Sequence, residues 1–306
     1  MTAWLPIAII GHLLNAFAFL IDKALLSTSF KRSGTYASLI GGLSCLALLA
    51  LPWTSIPPAN VWAPMIGFGS LFVFALWAFF EALRRGEATR VVPIVGSLIP
   101  VFTLLDTSLL LGERLPFNGY LGFSFLVLAT IVLSSGNKKD RLDKTTIGIC
   151  ILSAFLFAAS SAFGKLAFNE AVFLDVFVWS RFFAALTAIL IALFATGVRS
   201  ELTKILFVKD KQAAREEGSK LGLMILGQFC GALGFLFIQF AISEGSASIV
   251  NAMQSVQYAA LVLVAWLGGK RLAALLHEQR TLKTFLTKGS ALILVAIGLY
   301  LITHAG

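Results

Sequence analysis

The chain has 306 residues, of which 58% are hydrophobic and only 13% charged, with a mean hydropathy of +0.90; soluble domains carry roughly 25% charged residues. A single water-soluble core, with or without a lone anchor, is excluded, because apolar runs of about 18 residues or more recur from end to end. The net charge of +9 does not point to nucleic acid: the cations sit in short junctions beside apolar runs, where membrane topology accounts for them.

The runs are rich in Leu, Phe and Ala and too long for barrel strands, so the expected fold class is an all-α integral membrane protein. Charge runs and turn residues mark ten expected spans, at 4–26, 35–53, 61–83, 88–111, 118–135, 146–168, 173–197, 220–242, 246–268 and 286–303. The first, "WLPIAIIGHLLNAFAFLIDKALL", has no basic region before it and no small-residue cleavage pattern after it. It reads as a retained span, not a signal peptide. One face carries His12, Asn15, Phe19 and Asp22. His12 is either a satisfied packing residue or a proton relay. Asp22 and Lys23, near the span end, either snorkel or form a gate ion pair.

In span three, Phe72, Phe74, Trp77 and Phe80 read as packing residues. In span four, Pro93, Gly96 and Pro100 recur at helical spacing. Each proline frees a carbonyl one turn back, which can bind a substrate amine, let the helix flex, or merely mark a structural kink. Asp106 lies farther from a span end than Glu81 and is the better candidate for a buried carboxylate that takes up a coupling proton. Lys165, in "SSAFGKLAF", and Arg181, in "FVWSRFF", flank a short loop with Glu170 and Asp175. This is an outer salt-bridge cluster, or else a gate or a site for a substrate carboxylate that the arginine fork could grip. The stretch "GVRSELTKILFVKDKQAAREEGSK" is too short for a nucleotide-hydrolysing domain and reads as a short amphipathic surface helix.

Span nine holds a polar stripe. Ser248, Asn251, Gln254, Ser255 and Tyr258 fall within roughly 120° of arc at 100° per residue. Facing lipid, they would leave donors and acceptors unsatisfied, so they face protein or a wet cavity. Interhelical hydrogen bonding, worth roughly 0.6–2 kcal/mol per bond, is one reading; cavity lining is the other, and the whole stripe favours it. Cys45, Cys150 and Cys230 lie far apart in apolar runs and suggest neither a disulfide nor a metal cluster. No HExxH, Walker-type lysine loop or paired His appears, so neither enzyme activity nor a cofactor is expected.

Of the 24 Lys and Arg residues, 21 follow odd-numbered spans: Lys23, Lys31 and Arg32; Arg84, Arg85 and Arg90; Lys138, Lys139, Arg141 and Lys144; Arg199, Lys204, Lys209, Lys211, Arg215 and Lys220; and Lys270, Arg271, Arg280, Lys283 and Lys288. These junctions are expected in the cytoplasm and both termini outside it. The halves also match. "ALRRGEATRVVPIVGSLIPVFTLLDTSLLLGERL" lies on "AISEGSASIVNAMQSVQYAALVLVAWLGGKRL" with a two-residue gap, pairing Gly86 with Gly245, and Lys23 pairs with Lys165. Five spans per copy is odd, so the second copy inserts upside down, as in many secondary transporters.

With these features the chain resembles the drug/metabolite transporter superfamily, specifically its ten-span EamA-type members. The resemblance rests on a Lys closing the first span of each repeat, "GEA" and "GSA" before the fourth, Pro93 and Pro100 within the first copy of the fourth, and "LGERL" after it. It implies two repeats, 1–140 and 141–306, and a central cavity lined by both. It also implies export or import of a small metabolite across the cytoplasmic membrane by alternating access, with proton coupling or exchange. The expected cavity residues are Asn251, Gln254, Ser255, Tyr258, Asn15, Pro93, Gly96 and Pro100; Asp106, Asp22, His12, Lys165 and Arg181 are the coupling or gating candidates. Expected partners are a small-molecule substrate, protons and membrane lipids, with no nucleic acid, in a monomer or homodimer. A lipid flippase on the same fold and a non-transporting scaffold or receptor are the alternatives. The second copy departs from the pattern, with no prolines and "GGKRL" for "GERL"; many relatives are thought to keep their termini in the cytoplasm, opposite to the charge count.

Overall fold

The computed structural model describes residues 3–25, 32–86, 88–134, 142–206, 213–269 and 281–304. Among the described residues every regular element is helical. The helices are α1 (Trp4–Leu25), α2 (Ser33–Leu43), α3 (Trp62–Arg85), α4 (Ala88–Leu111), α5 (Phe117–Ser134) and α6 (Lys144–Phe168). There follow α7 (Phe173–Phe194), α8 (Val198–Leu206), α9 (Ala213–Glu244), α10 (Ala247–Ala252), α11 (Gln254–Leu267) and α12 (Leu282–Thr303). Nine described segments are long and apolar enough to cross a bilayer, and Phe117–Leu133 is a shorter apolar helix. The chain is an all-α, multi-pass membrane protein, and each of the ten expected spans overlaps described helix.

Two spans are not single α-helices. Span two turns from α to 3-10 geometry over Ser44–Trp53, where Gly41, Gly42 and Pro52 give the α form little local support. Span nine breaks at Met253 into α10 and α11. The expected surface helix corresponds to α8, while α9 starts seven residues ahead of the expected span eight. Side-chain caps fix several starts: Asp143 accepts from the Thr145 and Thr146 amides, Ser246 from Ile249, and Thr281 from Thr284.

The helices form two compact units, neither continuous in sequence. The first combines residues 1–29, 114–137 and 209–306; the second combines 30–113 and 138–208. Each therefore draws on both halves of the chain. In the first, α1 packs on α9 and α11, and α5 on α12; in the second, α6 packs on α3 and α4, and α2 on α7. The repeat register expected from the sequence, carried along the helices, sets Gly11 against Ser153 and Gly234 against Ala75. Ser153 Oγ donates to the Ala75 carbonyl at 3.0 Å; a Cβ on Gly11 would lie 3.0 Å from the Gly234 carbonyl oxygen. Both crossings place small residues where the backbones approach most closely.

Candidate functional site

In the first unit a polar side chain of α1 reaches span nine at its break. His12 is buried, and its Nε2 lies 2.9 Å from the Val250 carbonyl oxygen. A carbonyl can only accept, so Nε2 carries the proton and Nδ1 presents a lone pair. Asn15 lies against the α1–α9 crossing, where its Oδ1 would be 2.5 Å from a Cβ on Gly234. Along span nine, Ser248 is buried and shares a 2.9 Å hydrogen bond with Ser246. Gln254 Nε2 donates to the Tyr258 hydroxyl at 3.3 Å. Ser255 and Tyr258 are buried, whereas Asn251 and Gln254 are half-buried. The stripe thus divides into buried groups and amides that keep some exposure. His12 Nδ1, Ser255 Oγ and Gln239 Oε1 are buried in this unit and have no hydrogen-bond partner among the described residues.

Gln239, on α9, is a polar residue that sequence reasoning missed. A lone amide in "FLFIQFAIS" has no stripe to announce it, and its burial is visible only in the packed helix. Asp22 belongs to the last turn of α1, and its side chain lies outside the described residues.

Pro93, Gly96, Pro100, Asp106, Lys165 and Arg181 belong to the second unit. Despite its two prolines α4 is continuous, with Gly96 and Pro100 buried and Pro93 half-buried. Asp106 is half-buried, and its Oδ2 has no partner among the described residues. Arg181 is 3% exposed, with its guanidinium carbon 4.7 Å from the Phe68 ring centre, 5.0 Å from Phe72 and 5.8 Å from Phe177. Phenyl faces offer a desolvated cation partial compensation. Of the two acids of the expected outer cluster, Asp175 Oδ1 accepts from the Ser55 amide at 2.9 Å and Glu170 Oε2 from Asn60 at 3.5 Å. Lys165 is half-buried in the last turn of α6. At the other end of the unit, Glu81 accepts from Ser33, Arg84 and Arg85, a saturated carboxylate that anchors α2 to α3.

Each unit by itself places polar groups among apolar helices. The first unit supplies amides, a hydroxyl and an imidazole lone pair; the second a caged cation and a carboxylate oxygen. No group of three or more His, Cys, Asp or Glu able to hold a metal occurs among the described residues.

Residues 2–135 match the model of the EamA-like transporter family. No curated protein matches the chain. A solved crystal structure of a protein covers 99% of this chain and 97% of its own length, at 18% identity and a TM-score of 0.68, a likeness of fold alone. The family match covers α1 to α5, including the proline-bearing α4 and the "LGERL" that follows it. The chain therefore carries an EamA-like transporter family domain over residues 2–135.

Proposed function

We propose that the protein is a secondary active transporter that moves a small polar or amphipathic metabolite across the cytoplasmic membrane by alternating access between its two repeats. The observation that carries this reading is the broken ninth span: a discontinuous helix with half-buried Asn251 and Gln254 on either side of its break, in a chain with an EamA-like domain. Transporters build substrate sites from such interrupted helices, because the break frees backbone groups that an intact helix keeps to itself. The paired helix contacts within the units support the two-repeat division at 1–140 and 141–306. Asp106 is the candidate for a coupling proton.

The test is a thermal-shift screen of the purified protein against amino acids, nucleosides, polyamines, sugars, quaternary amines and lipid head groups, at pH 5.5 and 8. Compounds that stabilise are then taken into counterflow assays in proteoliposomes. A ligand at ~100 times its dissociation constant stabilises by about 2.7 kcal/mol. A stabilising soluble compound exchanged only by protein-containing vesicles is the expected result. Stabilising compounds that never cross the vesicle membrane would overturn the reading. In the paired Asn251→Leu and Gln254→Leu variant, membrane insertion persists and counterflow falls at least tenfold; unchanged counterflow at equal protein levels removes the stripe from the site.

A further inference from the structure

Span nine breaks although Ala247–Leu267 contains neither proline nor glycine. Sharp interruptions of a helix have few causes: proline, Gly/Ser pairs, a π-bulge, or a side chain or water inserted into the i→i−4 ladder. The serines do not supply one, since Ser248 Oγ is engaged with Ser246 and Ser255 Oγ bonds no carbonyl among the described residues. An inserted side chain is present. His12 Nε2–H reaches from α1 to the Val250 carbonyl at 2.9 Å, and that carbonyl is the one the Gln254 amide would take in an unbroken helix. Just beyond it the ladder shifts, with the Val256 amide donating to Met253, three residues back.

The other unit contains a natural control. In the repeat register Val91 stands for Val250 and Ala154 for His12. Val91 and Ala154 belong to one apolar cluster with Ala82, Val95 and Cys150, in which no imidazole reaches the backbone. There the corresponding helix, α4, runs unbroken from Ala88 to Leu111 while carrying two prolines. The copy with the stronger intrinsic breakers stays whole; the copy that receives a histidine donor breaks.

We infer that His12 is a positioning residue that holds span nine open at Met253 and so sets where Asn251 and Gln254 present their amides. The break itself is independent of what the protein carries; only its consequence for transport rests on the function proposed above.

Hydrogen–deuterium exchange of the purified protein, followed over residues 250–258, reads the break directly. The variants are His12→Leu, which removes the donor, and His12→Gln, whose amide offers an N–H at similar reach. With Leu, the Gln254 amide recovers the Val250 carbonyl, and its exchange slows at least tenfold; with Gln, exchange stays at the wild-type rate. Equal exchange at Gln254 in all three proteins, or Gln behaving as Leu does, overturns the assignment. Should the Leu variant fail to fold, His12→Ala, which also lacks a donor, takes its place: slower exchange at Gln254 supports the donor role and an unchanged rate refutes it. Because exchange reports on the helix and not on transport, failure of the transporter reading leaves this test intact.

Discussion

Gly69 of α3 lies directly against the backbone of α7. A Cβ there would lie 2.1 Å from the Ser180 carbonyl oxygen and 2.8 Å from the Ala184 nitrogen, both backbone atoms of α7. Neither can step aside as a flexible side chain would, so α3 and α7 must separate. Gly69→Ala should cost about 1–3 kcal/mol and lower the melting temperature of the purified protein. Gly42 offers the comparison, since nothing lies within 4 Å of its would-be Cβ; Gly42→Ala gains helix propensity of up to about 1 kcal/mol and should melt no lower than the wild type. Similar melting for both variants would mean that glycine content, not the crossing, governs stability here. Arg181 supplies a second contrast. Lys keeps the charge but not the planar face against Phe68, Phe72 and Phe177, so Arg181→Lys should also melt lower, by the about 0.5–2 kcal/mol that such contacts contribute.

At the scale of elements, helix starts are set by short-range chemistry. Asp143 caps α6 by accepting from the Thr146 hydroxyl and from the Thr145 and Thr146 amides; the Thr146 hydroxyl foremost, then these amides, hold its carboxyl below the usual carboxylate range. A depressed value means that the cap's contribution is intact above the ordinary pKa of ~3.9 and is lost as pH falls through the folded value. Amide exchange at Thr145 and Thr146 should therefore show protection that is constant from pH 7 to 5 and fades only below about 4, while Asp143→Ala loses it at every pH. A cap that loosened near pH 6 would contradict the assignment.

Such starts, and the spans themselves, could be read in the sequence because apolar length and capping residues are local signals. The break at Met253 could not. A helical wheel drawn through Ser248 to Tyr258 assumes one continuous helix, and "ASIVNAMQSVQY" contains no breaker; the cause lies in His12, over 230 residues away in the chain. Gln239 was equally hidden, since a single amide in an apolar run acquires meaning only from the helix packed against it.

At the scale of the whole molecule, the two repeats expected from the sequence and the compact units divide the chain differently. Repeats are units of sequence, while compact units follow contacts, and helices of one repeat find partners in the other. Within the second unit, this brings together junctions that lie far apart in the chain. Ser33 and Thr35, after span one, bond Glu81 at the end of span three and Glu201 after span seven, and Arg32 bonds the Thr196 carbonyl at 2.7 Å. Arg32, Arg84, Arg85 and Arg199 therefore belong to the same end of that unit, whereas Glu170 and Asp175 mark the opposite end with Ser55 and Asn60. Clustering of cations at one end is what the positive-inside rule acts upon. The rule predicts that this end faces the cytoplasm, and the Lys and Arg count along the chain predicts both termini outside it. Alkaline phosphatase, active only outside the cytoplasm, should be active when fused after His304 and inactive when fused near Lys138, where green fluorescent protein should fluoresce instead. The reverse pattern would turn the molecule over, placing 21 of its 24 basic residues outside and leaving the family's usual orientation, not the charges, as the determinant.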